Sequence, residues 1–379
     1  MTQEKHRMRR DQKIKLIVGI IIFLLAIAAL WFGFKWLDSR NDPESGQFGD
    51  HGDWGNGNTQ TAVPKIVTLD GDKYEYTDDL RSYLLIGTDA TGEVEPQEGR
   101  GDMADFIMLF FVNRTKDTYG FIQFNRDTIT DVPILDKDGK NIGTYPEQLC
   151  ISHWYGRTDE ERNTNTVNTV SQLLGGLEID GYYAIDMEDV GALNDAIGGV
   201  LVTIDEDMTK VDPDFKEGAE ILLTDDQAEK YLRARKAVGE GTNEERMDRQ
   251  YKYMQAAYNR VINQLREEPN YINTLYEELQ DQVKTDQTND RLSEFAKYIS
   301  KGSSLGFLRI DGKTTEGDTL GTGQILAEHY LNKGAVKTAL SSIVDLKPSQ
   351  AADPAEADTD ETTEDVAPED VPEEAVNQG

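Results

Sequence analysis

The chain is short of the residues that most covalent and metal frameworks need. Its 379 residues include a single cysteine, Cys150, which excludes an internal disulfide framework and any cysteine-rich metal site. Between Leu149 and Ile151 that cysteine reads as a small buried hydrophobe rather than a nucleophile. The histidines, His6, His51, His153 and His329, are scattered and form no cluster at metal-ligand or catalytic spacing. His153, between Ser152 and Trp154, reads as a surface or packed residue rather than a cleft-lining one. There is no Walker A loop, HExxH or GxSxG, and Gly321-Thr322-Gly323-Gln324 lacks the lysine a phosphate loop requires. Positive charge is scarce as well. With 39 Lys and Arg against 71 Asp and Glu, the net charge of −32 leaves no global basic surface to displace counterions, and nucleic acid is excluded as a partner.

Long apolar runs are equally rare, and the one present is informative. Leu16 to Phe34 is an uncharged run of 19 residues rich in Ile, Leu, Ala and Phe, long enough to cross a hydrocarbon core of ~30 Å. Lys5, Arg7, Arg9, Arg10, Lys13 and Lys15 precede it, and Asp38, Asp42 and Glu44 follow, so the basic flank stays cytoplasmic and the rest lies outside. The run exceeds a usual signal-peptide core and no small-x-small cleavage site follows it, which favours a retained signal-anchor. The expected organisation is a cytoplasmic segment at 1–15, a transmembrane helix at 16–37 and a Gly, Asn, Asp and Ser-rich tether at 38–63. An extracytoplasmic domain then covers 64–346, before an acidic tail at 347–379. From Pro348 onward the tail holds eleven Asp and Glu and no Lys or Arg, so it cannot bury a core and is expected to be disordered.

Within the domain, Tyr83–Ile86, Phe106–Val112 and Tyr119–Phe124 read as buried strands bounded by Gly, Asn and Asp. Asp136 to Asn141 fits a hairpin turn, because Gly139 stands at the wrong position for a calcium loop. Val167, Val170, Leu173 and Leu174 share a helical face ended by Gly175-Gly176. Tyr182–Asp186 and Val200–Ile204 read as strands around a helix at Val190, Leu193 and Ile197. Thr224 is a candidate N-cap, Asn243–Leu265 the longest helix, and further helices are expected at Asp286–Ile299 and around Ala327–Leu331. Strands alternating with helices imply an α/β, three-layer α-β-α domain with a central mixed sheet.

Ligands of such sheets lie beyond strand ends, which singles out Asp89, Asp105 and Arg126. Asp127, Arg233, Arg235, Arg246, Arg249 and Gln250 join them. Arginines concentrated in an acidic chain suit a clamped anion, since the guanidinium fork donates two parallel bonds to phosphate. Arg233 and Arg235 share a site only if a helix ends between them or the segment is extended. Two carboxylates near phosphate suit Mg²⁺ or Mn²⁺, and the set together suggests phosphoryl transfer on a pyrophosphate. The same residues also fit plain roles: turn-closing aspartates, an Arg126–Asp127 structural ion pair, or solvated arginines after a helix.

Taken in order, Leu85-Ile86-Gly87-Thr88-Asp89, Ala104-Asp105-Phe106-Ile107-Met108-Leu109, Asn125-Arg126-Asp127-Thr128, Ala196-Ile197-Gly198-Gly199-Val200, Tyr231-Leu232-Arg233-Ala234-Arg235-Lys236 and Arg246-Met247-Asp248-Arg249-Gln250 resemble the LytR-CpsA-Psr family. The resemblance implies a membrane-anchored extracytoplasmic phosphotransferase. Such an enzyme moves a glycopolymer, a teichoic acid or a capsular or secondary wall polysaccharide, from a polyprenyl-pyrophosphate carrier to peptidoglycan. It further implies that Asp89 and Asp105 hold Mg²⁺ on the pyrophosphate. Arg126, Arg233 and Arg235 would bind its oxygens with support from Arg246, Arg249 and Gln250, and Asp105 or Asp127 would take the acceptor's proton. The family commonly has arginine where this chain has Met103, and Arg100 is a candidate substitute. A lipid or nucleotide pyrophosphatase and a non-catalytic carrier-binding protein are the rival readings.

Overall fold

The computed structural model describes residues 63–88, 101–235, 237–267, 283–287, 302–318, 321, 323 and 325–349. The expected anchor, the tether up to residue 62, the acidic tail beyond residue 349, most of the helix expected at Asp286–Ile299, and the site candidates Asp89 and Arg100 lie outside the described residues. Among the described residues no helix is long and apolar enough to cross a membrane.

Three consecutive strands make the centre: β3 (Leu80–Thr88), β4 (Ala104–Asn113) and β5 (Thr118–Phe124). They follow a hairpin, β1 (Lys65–Leu69) and β2 (Asp72–Tyr76). β3 and β4 pair antiparallel with Leu85 opposite Met108, and β4 and β5 pair antiparallel with Leu109 opposite Ile122. After β6 (Ile129–Leu135), β7 (Asn141–Gln148) and a 3-10 turn at Leu149–Trp154 comes the first helix, α1 (Asp159–Leu173). Its N-cap is Thr158, whose hydroxyl accepts from the Glu161 N–H at 3.2 Å, and Asp159, Glu160 and Glu161 complement the helix dipole. Strand β8 (Gly181–Asp186) then joins β3 in parallel.

Past β8 the chain builds α2 (Val190–Ala196), the short strands β9 (Leu201–Thr203) and β10 (Glu220–Leu222), α3 (Asp225–Arg233) and α4 (Asn243–Glu267). Thr224 caps α3 as expected, in a reciprocal capping box with Gln227. Strands β11 (Lys284–Thr285) and β12 (Ser303–Arg309) complete a six-stranded mixed sheet in the order β11-β8-β3-β4-β5-β12. The hairpin β13 (Gly312–Gly317) and β14 (Leu326–Leu331), helix α5 (Ala335–Ile343) and strand β15 (Lys347–Pro348) follow. β15 pairs with β2, so sheet pairing continues just past residue 346.

Both faces of the sheet are covered, which is why its strands are almost continuously apolar. Tyr83, Leu85, Met108, Phe110 and Phe121 face residues of α2, α3 and α4 such as Leu193, Tyr231 and Tyr253. Leu84, Ile86, Leu109, Phe111 and Ile122 face Val170 of α1, Leu340 of α5 and the β1–β2 hairpin. Close packing explains Gly87, where a Cβ would fall 2.9 Å from the Phe106 Cβ and 3.1 Å from the Met187 sulfur.

One expected element is corrected. Ala327–Leu331 is strand, not helix, and the last helix begins at Ala335. The apolar residues Ala327, Tyr330 and Leu331 fall at i, i+3 and i+4, a spacing that imitates a helical face, but pairing with the glycine-bounded strand β13 decides the outcome. The hairpin expected at Asp136–Asn141 forms between β6 and β7, with Asp136 Oδ1 accepting the Asp138 and Lys140 N–H groups.

Candidate functional site

Strand register assembles the first half of the site. Ile107 on β4 pairs with Phe124 on β5, and the same register continued two residues sets Asp105 opposite Arg126. Their side chains form an ion pair. Arg126 Nε lies 3.5 Å from Asp127 Oδ1, while its Nη2 donates to Cys150 Sγ at 3.0 Å and to Met103 Sδ at 3.3 Å. One guanidinium thus touches two carboxylates and two sulfurs. Cys150 is buried, as expected, and burial pushes its thiol pKa up, so its part is to wall the arginine rather than to react. Met103, just before β4, thus offers Arg126 a thioether where it could offer no donor to phosphate.

The second half comes from the helices. Arg246, on the first turns of α4, reaches Asp105 Oδ2 at 3.1 Å and Asn243 Oδ1 at 2.7 Å. Helix α3 stops at Arg233, and Ala234 is extended (φ −54°, ψ 127°), which is the condition for Arg235 to leave the helix and face the same cluster. Arg235 Nη2 lies 3.9 Å from Asp127 Oδ2. Asp127, only 2% exposed, also takes an N–H from Gln148 at 3.3 Å. Arg126, Arg235 and Arg246 therefore surround Asp105 and Asp127, three cations on two anions in a desolvated place.

The titration directions follow from that imbalance. Burial, and then repulsion from Arg126 and Arg235, pushes the Arg246 pKa down to about 9, so it remains a cation at neutral pH but an undercompensated one. Burial raises the Asp127 pKa against the pull of Arg126, Arg235 and Arg246. A dianionic ligand would relieve the first group at least.

Other expected site residues sit around this cluster rather than in it. Arg233 pairs with Glu229 at 2.6 Å in its own helix. Arg249, 4% exposed, holds Glu206 at 2.9 Å and donates to the Ala234 carbonyl, pinning the segment that carries Arg235. Gln250 lines a cavity of about 30 Å³ with Gly87, Phe106, Met187, Leu193 and Met254, between the sheet and helices α2 and α4. Asp105 is the described member of the expected metal pair, and among the described residues no three His, Cys, Asp or Glu side chains cluster as a metal site. A hard cation there would need oxygens from its ligand as well, which is how Mg²⁺ is held on phosphates.

Further residues back the cluster, and of these Gln148 and His329 carry no local signal in the sequence. Asn125 accepts from the Asp127 N–H at 2.9 Å and from Asn243 Nδ2 at 2.7 Å. Gln148 bridges Asp127 to the Ala327 carbonyl, and the His329 N–H donates to the Asp127 carbonyl at 2.8 Å. Thus β14, remote in sequence, backs the Arg126–Asp127 turn.

A model of the LytR_cpsA_psr family matches residues 55–338, a span that contains the whole cluster. The chain belongs to that family. A relative from Halalkalibacterium halodurans, named polyisoprenyl-teichoic acid–peptidoglycan teichoic acid transferase TagU, is 24% identical over 307 residues, covering 80% of this chain and 90% of its own. A protein of the same name from Bacillus cereus is 31% identical over 155 residues, 41% of this chain and 44% of its own length. Among solved structures, protein gbs0355 from Streptococcus agalactiae superposes with a TM-score of 0.56 at 18% identity, covering 72% of this chain and 90% of that one. A structure described as TagT bound to LIIa-WTA superposes with a TM-score of 0.51 at 19% identity, over 70% of this chain and 89% of that one. These two superpositions establish a shared fold, the mixed α/β domain with a central mixed sheet.

Proposed function

We propose that this LytR_cpsA_psr family member is a membrane-anchored, extracytoplasmic phosphotransferase. It would move a glycopolymer, a teichoic acid or a wall or capsular polysaccharide, from a polyprenyl-pyrophosphate carrier onto peptidoglycan. The observation that carries this reading is the convergence of Arg126, Arg235 and Arg246 on the buried Asp105 and Asp127. The TagU names of its relatives support the same direction. The anchor would be the run within residues 16–37, with the N-terminus cytoplasmic.

In the reaction, a peptidoglycan hydroxyl attacks the phosphorus bonded to the saccharide. A new P–O bond forms, the pyrophosphate bridge breaks, and its electron pair leaves on polyprenyl phosphate. Arg126 and Arg246 would then exchange part of their hold on Asp105 for phosphate oxygens, and Arg235 would take the charge growing on the leaving phosphate. Arg233 would serve the same anion from the helix end, with Arg249 and Gln250 supporting the loop and the cavity wall. Asp105, together with Asp89, would hold Mg²⁺ or Mn²⁺, which neutralises phosphate oxygens. Asp127 fits proton acceptance better than Asp105, because burial raises its proton affinity and its guanidinium partners stand off at 3.5 and 3.9 Å, while Asp105 is held in closer pairs with Arg126 and Arg246. The carrier's tail would enter beside Gln250. That cavity is an order of magnitude below the ~300–1,000 Å³ of ordinary ligand pockets, so α2 and α4 must part to admit a chain.

The test uses the full chain in detergent with a polyprenyl-pyrophosphate-linked saccharide, Mg²⁺ and peptidoglycan oligomers, followed by mass spectrometry. Saccharide on the glycan strand, lost in Arg126→Ala and Arg235→Ala, is the expected result. Free phosphorylated saccharide alone would make the protein a hydrolase, and an untouched, co-purifying carrier would make it a binding protein.

A further inference from the structure

A third carboxylate stands at the edge of the arginine cluster, and the C-terminal hairpin restrains it. Glu244 follows Asn243 at the start of α4, the same turn that carries Arg246. Its Oε1 accepts from the Thr314 hydroxyl on β13 and from Asn125 Nδ2 at 3.4 Å. Thr314 Oγ1 also lies 2.9 Å from His329 Nδ1 on β14. A hydroxyl has one proton. With that proton given to Glu244, Thr314 must accept from the Nδ1–H of His329, which fixes both the rotor and the tautomer. His329 is itself held, because its N–H donates to the Asp127 carbonyl and it bridges Thr128. A side chain at Gly312 would overlap its imidazole, so this ring position requires the glycine.

Glu244 is close enough for its charge to oppose ionisation of Asp127. Glu244 is bonded to Asn125, the neighbour of Arg126, and a carboxylate freed from Thr314 there would compete with phosphate for the arginines of the cluster. We infer that Thr314, oriented by His329, is a positioning residue that ties Glu244 to the C-terminal hairpin and so keeps the phosphate-binding arginines open to the carrier. The inference rests on the pyrophosphate-binding reading of the cluster. It assigns to the β13–β14 hairpin a part in ligand affinity, beyond closing the domain.

The test is equilibrium binding of geranylgeranyl pyrophosphate to the full chain in detergent, for Thr314→Val, Thr314→Ser, Glu244→Gln and the double variant Thr314→Val with Glu244→Gln. Loss of a hydrogen bond to a charged group predicts binding weakened about tenfold in Thr314→Val. Thr314→Ser keeps the hydroxyl and should bind like the wild type. Glu244→Gln removes the competing charge and should bind the pyrophosphate more tightly. The double variant should recover wild-type affinity, which a merely structural defect at Thr314 would not do. A double variant as weak as Thr314→Val, or a Thr314→Val protein that binds normally, would overturn the inference. Absence of binding by the wild type, with Arg126→Ala unchanged from it, would instead overturn the pyrophosphate reading on which it stands.

Discussion

At the scale of single residues, shape matters as much as charge. Arg126 serves Asp105, Asp127 and the two sulfurs of Cys150 and Met103 with the three nitrogens of one plane, which a lysine ammonium cannot do. Arg126→Lys should therefore lower transfer by about 10²-fold with little change in melting temperature. Turnover within a few fold of wild type would mean that charge alone suffices there. His153 makes a prediction about stability rather than turnover. It is buried, with Nδ1 at 2.8 Å from the Asp102 carbonyl and Nε2 at 3.1 Å from the Asn163 amide, and burial holds its pKa down at about 4 against the ordinary 6.5. The folded state then binds fewer protons than the unfolded one between those values. Stability should be full above the unfolded pKa and fall as pH drops toward the folded one, by on the order of 3 kcal/mol at most. Urea midpoints at about pH 7 and about pH 5 should converge in His153→Gln relative to wild type. Equal losses in both proteins would clear this ring of the effect.

At the scale of elements, the site depends on where strands and helices end. Arg235 reaches Asp127 because α3 stops at Arg233, and Arg249 on α4 keeps the following segment down through the Ala234 carbonyl. Arg249→Met keeps the bulk but loses that bond and the Glu206 pair. Removing a charged hydrogen bond of this kind should weaken carrier binding by about ten- to a hundredfold while the sheet stays folded. Unchanged affinity would show that the Arg235 segment needs no such pin. The same dependence on element ends separates what is legible in the amino-acid sequence from what is not. Strands β3 to β5 are legible because both faces are buried, and Asp105 and Arg126 are legible because they bracket them. The stripe of Arg246, Arg249 and Gln250 is visible as a helical face, although its spacing does not tell that it points inward, nor that Arg249 turns to Glu206. Gln148, Thr314 and His329 are not legible. They meet the site only through pairing of distant segments, and β14 imitates a helical period.

At the scale of the whole molecule, a small cluster of arginines is set in a strongly acidic chain, with net charge −32. The two fields act at different ranges. Arginine contacts operate within bonding distance, while the surrounding carboxylates act over a Debye length, which shrinks from roughly 30 Å at 0.01 M salt to roughly 8 Å at 0.15 M. A donor polymer built of phosphodiesters should be repelled on approach, and one built of neutral sugars should not. With Mg²⁺ fixed, raising NaCl from about 0.01 to about 0.15 M should therefore increase kcat/KM for a polyanionic donor. For a neutral polysaccharide on the same carrier it should leave kcat/KM flat or lower it slightly, since under the proposed function only a pyrophosphate contact would then be screened. Removing the acidic tail after Ser349 should reduce the salt response of the polyanionic donor without altering that of the neutral one. If kcat/KM for the polyanionic donor falls with salt, the arginine cluster governs encounter as well as binding, and the acidity of the chain belongs to some other partner.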